Sequence, residues 1–218
     1  LAVVVAWNRR DLLLQNLDGL AAQTHRPDAV VVIDNASTDD TAELASRHPV
    51  VTEVVTLPTN TGGAGGFAAG IARAVVAHQA QAVWIMDDDT VPTPTALEEL
   101  QRARVRYPGR VTVAASRADW RDGREHPMNL PRERLGTTAT ERETARLVGA
   151  FPIRSASFVS ILLDAEAIAD HGLPQADYFL WNDDFEYTTR LLRSGVGLYV
   201  PASRVYHLTK VFASSDAD

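Results

Sequence analysis

Four short runs rich in β-branched and apolar residues, Ala2–Ala6, Ala29–Ile33, Val51–Leu57 and Ala82–Met86, recur along the first part of the chain with helical patterns between them. Runs this short and largely apolar read as strands of a covered sheet rather than as helices. Between them, Arg10–Ala22 sets Leu12, Leu13, Leu17 and Leu20 near helical spacing. Ser37–Asp40 resembles a helix start with an acid three residues after the cap. Gly65–His78 is a third helix, and Thr93-Pro94 opens a fourth with proline at the favoured first position. Strands alternating with helices through short connections dictate an α/β fold, a mostly parallel open sheet with helices on both faces.

The regularity ends near Ser116. Arg117–Arg146 is polar and Arg-rich, carries Pro127 and Pro131, and keeps no period, which predicts a long loop or lid. Beyond it, Ser155–Leu163 returns to strand character, and Ala165–Asp170 is a short helix. Asp183–Ser194 is an amphipathic helix with Tyr187, Leu191 and Leu192 inward. Leu198–Val200 and Arg204–Tyr206 read as short late strands, and Ser214–Asp218 as a frayed tail. The expectation is one domain in three stretches: residues 1–116, a flexible loop over 117–147, and a second half over 148–212.

A chain of 218 residues hides about 70% of its extended surface on folding, so its core needs no covalent staples. It has none, because cysteine is absent, and with it disulfides, thiolate metal sites and Cys nucleophiles. A formal charge of −7 argues against a nucleic-acid partner and leaves no polybasic membrane patch. No apolar run approaches the roughly 18 residues that span a bilayer. The chain opens at Leu1 directly on a strand and without Met, which reads as an excised domain. Flanking segments would then supply any peripheral membrane association. Nothing in the pattern specifies an oligomer.

Four constellations carry chemistry. Asp87-Asp88-Asp89 ends a buried strand, and three adjacent carboxylates at a sheet's carboxyl edge call for a counter-charge such as Mg²⁺ or Mn²⁺. Otherwise the triplet is a solvated acidic turn. Asn60–Phe67, rich in glycine, lets backbone N–H groups approach a phosphate at a helix N-terminus. Two other readings stand beside it: the Gly63-x-Gly65-x-x-Ala68 fingerprint of a dinucleotide site, and a helix start packed closely on its neighbour. Against the fingerprint, Pro58–Gly62 separates the strand from the glycines. In Trp181–Tyr187, Asp183 and Glu186 have capping-box spacing, which leaves Asp184 as the candidate general base. Finally, His207 closes the last strand, which should return it to the sheet's carboxyl edge, where a neutral imidazole suits Mn²⁺ without adding charge.

Taken in this order, the segments resemble family-two glycosyltransferases of the GT-A fold, particularly the bacterial galactofuranosyl- and rhamnosyltransferase-like branch. Val3–Arg9 resembles the family's opening strand and turn, and Gln23-Thr24 its first helix exit. Val32–Asp39 resembles its nucleotide-contacting second strand, and Asn60–Phe67 its glycine segment. By that resemblance the sheet is Rossmann-like, and Asp87, Asp89 and His207 hold Mg²⁺ or Mn²⁺. Ala6, Trp7, Asn8, Arg9, Asn60, Gly62, Gly63 and Gly65 line the nucleotide-sugar donor, Asp34 and Asn35 contact the base, and Asp88 sits near the ribose. Asp184 is the catalytic base, with Trp181, Asp183 and Glu186 on the acceptor side. Two departures bear on base selectivity: Asn35 stands where the family often has a second acid, and Ala6-Trp7 replaces its common Thr-Tyr. The implied reaction is inverting transfer from a UDP-galactofuranose or dTDP-rhamnose type donor to a hydroxyl of a cell-envelope glycan or lipid-linked acceptor. It would take place in the cytoplasm or at the inner face of the cell membrane. A dinucleotide-dependent oxidoreductase and a non-catalytic nucleotide-sugar-binding module are the competing classes.

Overall fold

The computed structural model describes residues 1–212. The predicted frayed tail therefore lies outside the described residues. The first half alternates as its apolar pattern requires: β1 (Ala2–Ala6), α1 (Arg10–Ala21), β2 (Val30–Asp34), α2 (Thr41–Arg47), β3 (Glu53–Thr56), α3 (Gly62–Val76) and β4 (Ala82–Asp87). Then come a short β5 (Thr90–Pro92), α4 (Ala96–Arg106) and β6 (Val111–Asp119). β7 (Arg132–Glu133), α5 (Ala139–Leu147), β8 (Phe151–Ser155), β9 (Ile161–Asp164), α6 (Ala165–His171), α7 (Asp183–Leu191) and β10 (Val196–His207) complete the described chain.

Ten strands form one sheet in the order β3-β2-β1-β4-β9-β6-β10-β8-β7, with β5 added on β10. β3, β2, β1 and β4 are parallel neighbours. β9 runs antiparallel between β4 and β6, and β6 is parallel to β10. The ends of β1, β2, β4, β6 and β10 therefore share one edge, the usual ligand edge of an open α/β sheet.

Strand alternation sorts the core into two layers. Val4, Val32, Trp84 and Met86 pack with Leu13, Leu17, Leu97 and Leu100 of α1 and α4. Val3, Val5, Ile33 and Ile85 pack with Phe67 and Ile71 of α3 and Tyr187 and Leu191 of α7. α3 lies so close to the sheet that a Cβ on Gly70 would stand 2.3 Å from a Val3 methyl. The packing reading of the later glycines is the one the structure bears out.

Several boundaries differ from the sequence expectation. α3 begins at Gly62 rather than Gly65, and α4 at Ala96, two residues after Pro94. Ser155–Leu163 is not one strand: β8 sits at the outer part of the sheet and β9 in its middle. Between them Phe158 turns inward, its ring 4.9 Å from that of Phe67. The two late strands join into one twelve-residue β10 whose pairing slips between Val200 and Arg204, around Pro201. The 117–147 stretch holds the end of β6, an Asp119–Glu125 bridge, a 3₁₀ turn at Pro127–Asn129, β7 and α5. Thr138 and Glu141 cap α5 reciprocally, a signal that the polar composition conceals. Among the described residues, no helix is long and apolar enough to cross a membrane.

Candidate active site

The acidic triplet turns the chain from β4 into β5. Asp87 closes β4, and Asn16 on α1 holds the turn by donating to the carbonyls of Thr90 at 2.6 Å and Asp87 at 3.3 Å. Antiparallel pairing then sets Thr90 opposite His207, and the Leu208 N–H donates to the Asp89 carbonyl at 2.9 Å. This ladder brings the end of the last strand to the triplet. Ligand atoms of Asp87, Asp89 and His207 all lie within 4.8 Å of one another.

Burial makes this cluster electrostatically demanding. Burial, aggravated by Asp89, Asp88 and Asp183, pushes the Asp87 carboxyl well above the ordinary carboxylate range. Burial and then Asp89 lift Asp88 to about 7. Asp89 moves the other way: burial opposes its charge, but His207 and Arg9 hold it below its usual value. Arg9 Nη1 lies 2.8 Å from Asp89 Oδ2 and 3.8 Å from Asp88 Oδ1. Asp89 Oδ1 is buried, and His207 Nε2, 3.2 Å away, is its ionic partner although the contact falls short of a well-aligned hydrogen bond. A poorly satisfied carboxylate oxygen, a second carboxylate and an imidazole nitrogen gathered within 4.8 Å fit a hard or borderline divalent cation such as Mg²⁺ or Mn²⁺.

On the β1 and β2 side, the turn after Ala6 exposes Trp7, whose N–H donates to Asp88 Oδ2 at 3.1 Å. Asn8 adopts a positive φ of 52° and accepts the Thr38 N–H at 2.7 Å, tying the β1 and β2 loops together. Asp34 is buried and accepts from Ser37 N. Asn35 is buried as well, but its amide is engaged within the protein: it donates to the Gly62 carbonyl at 2.9 Å and accepts from Thr61 N at 2.9 Å. It braces the glycine segment.

The glycine segment is held by contacts within the protein. Asn60 accepts from Gly62 N, Gly62 takes a φ of +69°, and the Phe179 carbonyl accepts the Ala64 N–H at 3.0 Å. A Cβ on Gly62 would stand 2.1 Å from that carbonyl oxygen. Gly63 faces Leu180, and Gly65 packs on the Thr61 side chain. The N-terminus of α3 is thus covered by residues 179–180, which satisfy one of its orphan donors. The same cover stands against the dinucleotide reading.

At the start of α7, the capping box expected at Asp183 is absent. Asn182, with φ 66°, precedes the helix without a side-chain cap bond, and Asp183 is the first helical residue. Glu186 instead pairs with Arg190 at 2.7 Å, and Arg190 reaches the Leu173 carbonyl at 3.0 Å, so this acid fastens α7 to the 171–173 turn. Burial, followed by the neighbouring Asp184, lifts Asp183 to about 6. Burial also raises Asp184, partly countered by its own hydrogen bonding and by Arg132, whose guanidinium lies 4.5 Å from the Phe185 ring centroid. The Asp183 charge adds to the upward push on Asp87, so the start of α7 is within electrostatic reach of the triplet. Trp181 is exposed, continuous with exposed Tyr178, Phe179 and Leu180.

Four neighbours of the site escape a sequence reading. Asn129 Oδ1 lies 2.8 Å from His207 Nδ1, and the buried His126 ring sits 5.3 Å from that of His207. Arg132 reaches the α7 end, and Asn16 supports the triplet. The first three lie in the aperiodic stretch and carry no motif. Asn16 has a signal: a buried amide among the leucines of α1.

The profile described as glycosyltransferase-like family 2 matches residues 1–216 of this chain. The chain belongs to glycosyltransferase-like family 2. Among curated members, it is 30% identical over 199 residues to the galactofuranosyltransferase GlfT1 of Mycolicibacterium smegmatis, with 89% of this chain and 66% of that protein covered. The Mycobacterium tuberculosis GlfT1 is 33% identical over 202 residues, covering 89% and 65%. The family-2 chain thus spans just under two thirds of the length of these relatives. In solved structures, GalNAc-T7 with UDP, GalNAc and Mn²⁺ superposes with a TM-score of 0.72 at 16% identity, covering all of this chain and 44% of that one. Residues 1–349 of S. aureus TarS in complex with UDP-GlcNAc superpose with a TM-score of 0.69 at 17% identity, covering 96% and 58%. The fold is that of the GT-A glycosyltransferases.

Proposed function

We propose that this chain is the catalytic domain of an inverting, divalent-metal-dependent glycosyltransferase. Its donor is a nucleoside diphosphate sugar, with galactofuranose the favoured sugar, and its acceptor is a hydroxyl of a cell-envelope glycan or lipid-linked glycan. The observation that carries this is the Asp87–Asp89–His207 set at the sheet's carboxyl edge, with Asp89 and His207 buried and Asp87 partly so, within electrostatic reach of the acidic start of α7. The named galactofuranosyltransferase relatives support the choice of sugar over the rhamnose alternative.

In this reading Asp87, Asp89 and His207 hold Mg²⁺ or Mn²⁺, which neutralises charge developing on the departing diphosphate. The turn over Ala6–Arg9, with Asp34 and Asp88, positions the nucleoside. Asp184 removes the proton of the attacking hydroxyl as the new glycosidic bond forms and the bond to the diphosphate breaks on the opposite face of the sugar. Burial raises the proton affinity of this carboxylate, as a general base needs. The exposed aromatic run ending at Trp181 offers a face for acceptor sugar rings. Action at the cytoplasmic face of the membrane fits a lipid-linked acceptor.

Incubating the protein with a panel of nucleotide sugars and a glycan acceptor, with Mn²⁺ or with chelator, tests the proposal. Metal-dependent release of nucleoside diphosphate with glycosylated product is expected. Donor binding without turnover of any donor would leave a binding module instead.

A further inference from the structure

The imidazole of His207 is gripped on the side away from Asp89. Its Nδ1 lies 2.8 Å from Asn129 Oδ1, and both residues are buried. Asn129 is itself held, because its Nδ2 donates to Ser157 Oγ at 3.2 Å. Next to Ser157, the Ala156 N–H donates to Thr188 Oγ1 at 3.2 Å, and that hydroxyl donates to the Asp184 carbonyl at 2.7 Å. His126 flanks the His207 ring, with its Nε2 3.0 Å from Thr209 Oγ1.

Two states of this contact are chemically distinct. If Nδ1 carries the proton and donates to Asn129 Oδ1, the lone pair is on Nε2, the atom that faces Asp89. If Asn129 is turned over so that its amide donates to Nδ1, the proton sits on Nε2 and blocks coordination there. Asp89 Oδ1, 3.2 Å from Nε2, draws the proton toward that nitrogen in the metal-free protein, so an accepting Asn129 Oδ1 at 2.8 Å is what would hold it on Nδ1.

We propose that Asn129 is a positioning residue that fixes His207 in the Nδ1–H tautomer with Nε2 presented beside Asp89 and Asp87. It makes the 3₁₀ turn of the 117–147 stretch a built part of the metal centre. This inference rests on the metal site of the proposed function. It adds a residue that no motif marks, from a segment whose pattern reads as a lid.

The experiment has two readouts, neither of them turnover. In ¹⁵N-labelled, metal-free protein above the imidazole titration range, ring nitrogen shifts assign the His207 tautomer. Separately, the EPR signal of free Mn²⁺ follows binding in wild type, Asn129→Ala, Asn129→Asp and Asp89→Asn, without donor. The expected result is Nδ1–H in wild type and in Asn129→Asp, whose carboxylate still accepts. Asn129→Ala should show mixed tautomers and Mn²⁺ affinity lower by roughly 10–100-fold, the usual scale for outer-shell partners, with Asn129→Asp restoring it. A protonated Nε2 in wild type overturns the proposal. So does wild-type Mn²⁺ affinity in Asn129→Ala while Asp89→Asn has lost it, a result that leaves the metal site standing. Absence of Mn²⁺ binding in wild type removes the metal reading and this inference together. Should Asn129→Ala fail to fold, the wild-type tautomer and the Asn129→Asp titration still decide.

Discussion

His207 lies directly opposite Thr90 in the β5–β10 ladder, and its Nε2 stands 3.2 Å from Asp89 although more than half of the chain separates the two residues. Topology produces this meeting. β4 and β10 run in the same direction in one sheet, and the short β5 folds back from the triplet to pair with β10. A site distributed this way forms only in the folded sheet, so metal affinity should track folding.

Asp184→Asn should leave nucleotide-sugar binding nearly intact and lower transfer by about 10²–10⁴-fold, the range for loss of a general base. Isothermal titration with donor, beside a transfer assay, separates the two effects. Equal turnover in variant and wild type would remove Asp184 from the mechanism.

Arg132 partly offsets the rise that burial imposes on Asp184. Removing that cation in Arg132→Met should lift the Asp184 carboxyl further. Because the base must be ionised, the acid limb of the transfer profile should move to higher pH, and Arg132→Lys should move it less. An unshifted limb in Arg132→Met would show that the charge is not felt during turnover.

Asp183 predicts a pH-dependent stability. Its folded-state value, about 6, lies above its ordinary 3.8, so the folded protein holds the proton more tightly than the unfolded chain. The stabilisation is complete below the unfolded value and is lost as pH rises through about 6. Melting temperatures of wild type and Asp183→Asn should therefore diverge in favour of the variant between about pH 4 and pH 6. A gap that stays constant with pH would contradict the burial of this carboxyl.

Most strands and helices of residues 1–106 are legible from their apolar runs and periods; the three-residue β5, which buries too little to leave a pattern, is not. The acidic triplet is legible because adjacent carboxylates are costly without a counter-charge. Glu186 misleads for a physical reason: its spacing from Asp183 satisfies a capping box, but Arg190 lies one turn further on and competes for it. The bracing roles of Asn35 and Asn60 are not legible, since an amide that braces a loop and one that reads a base have the same local sequence. Asn129 and Arg132 are invisible because their roles depend on β10 and α7, which arrive from far along the chain.

Gly70→Ala tests the close seating of α3 on the sheet. The added methyl would meet Val3 at 2.3 Å and Ile33 at 3.0 Å, both buried in strands. Overpacking of this kind costs about 1–3 kcal/mol. Denaturant unfolding should show that loss with an unchanged slope. A variant as stable as wild type would mean that α3 can lift away freely.

The most direct test of the central claim is a crystal structure with Mn²⁺ and a nucleoside diphosphate, with the ion located by its anomalous signal. A single strong peak is expected between Asp87, Asp89 and His207, with His207 Nε2 and the carboxylate oxygens at ~2.0–2.3 Å from it. A peak elsewhere, or His207 nitrogens well beyond ~3 Å from the ion, would contradict it.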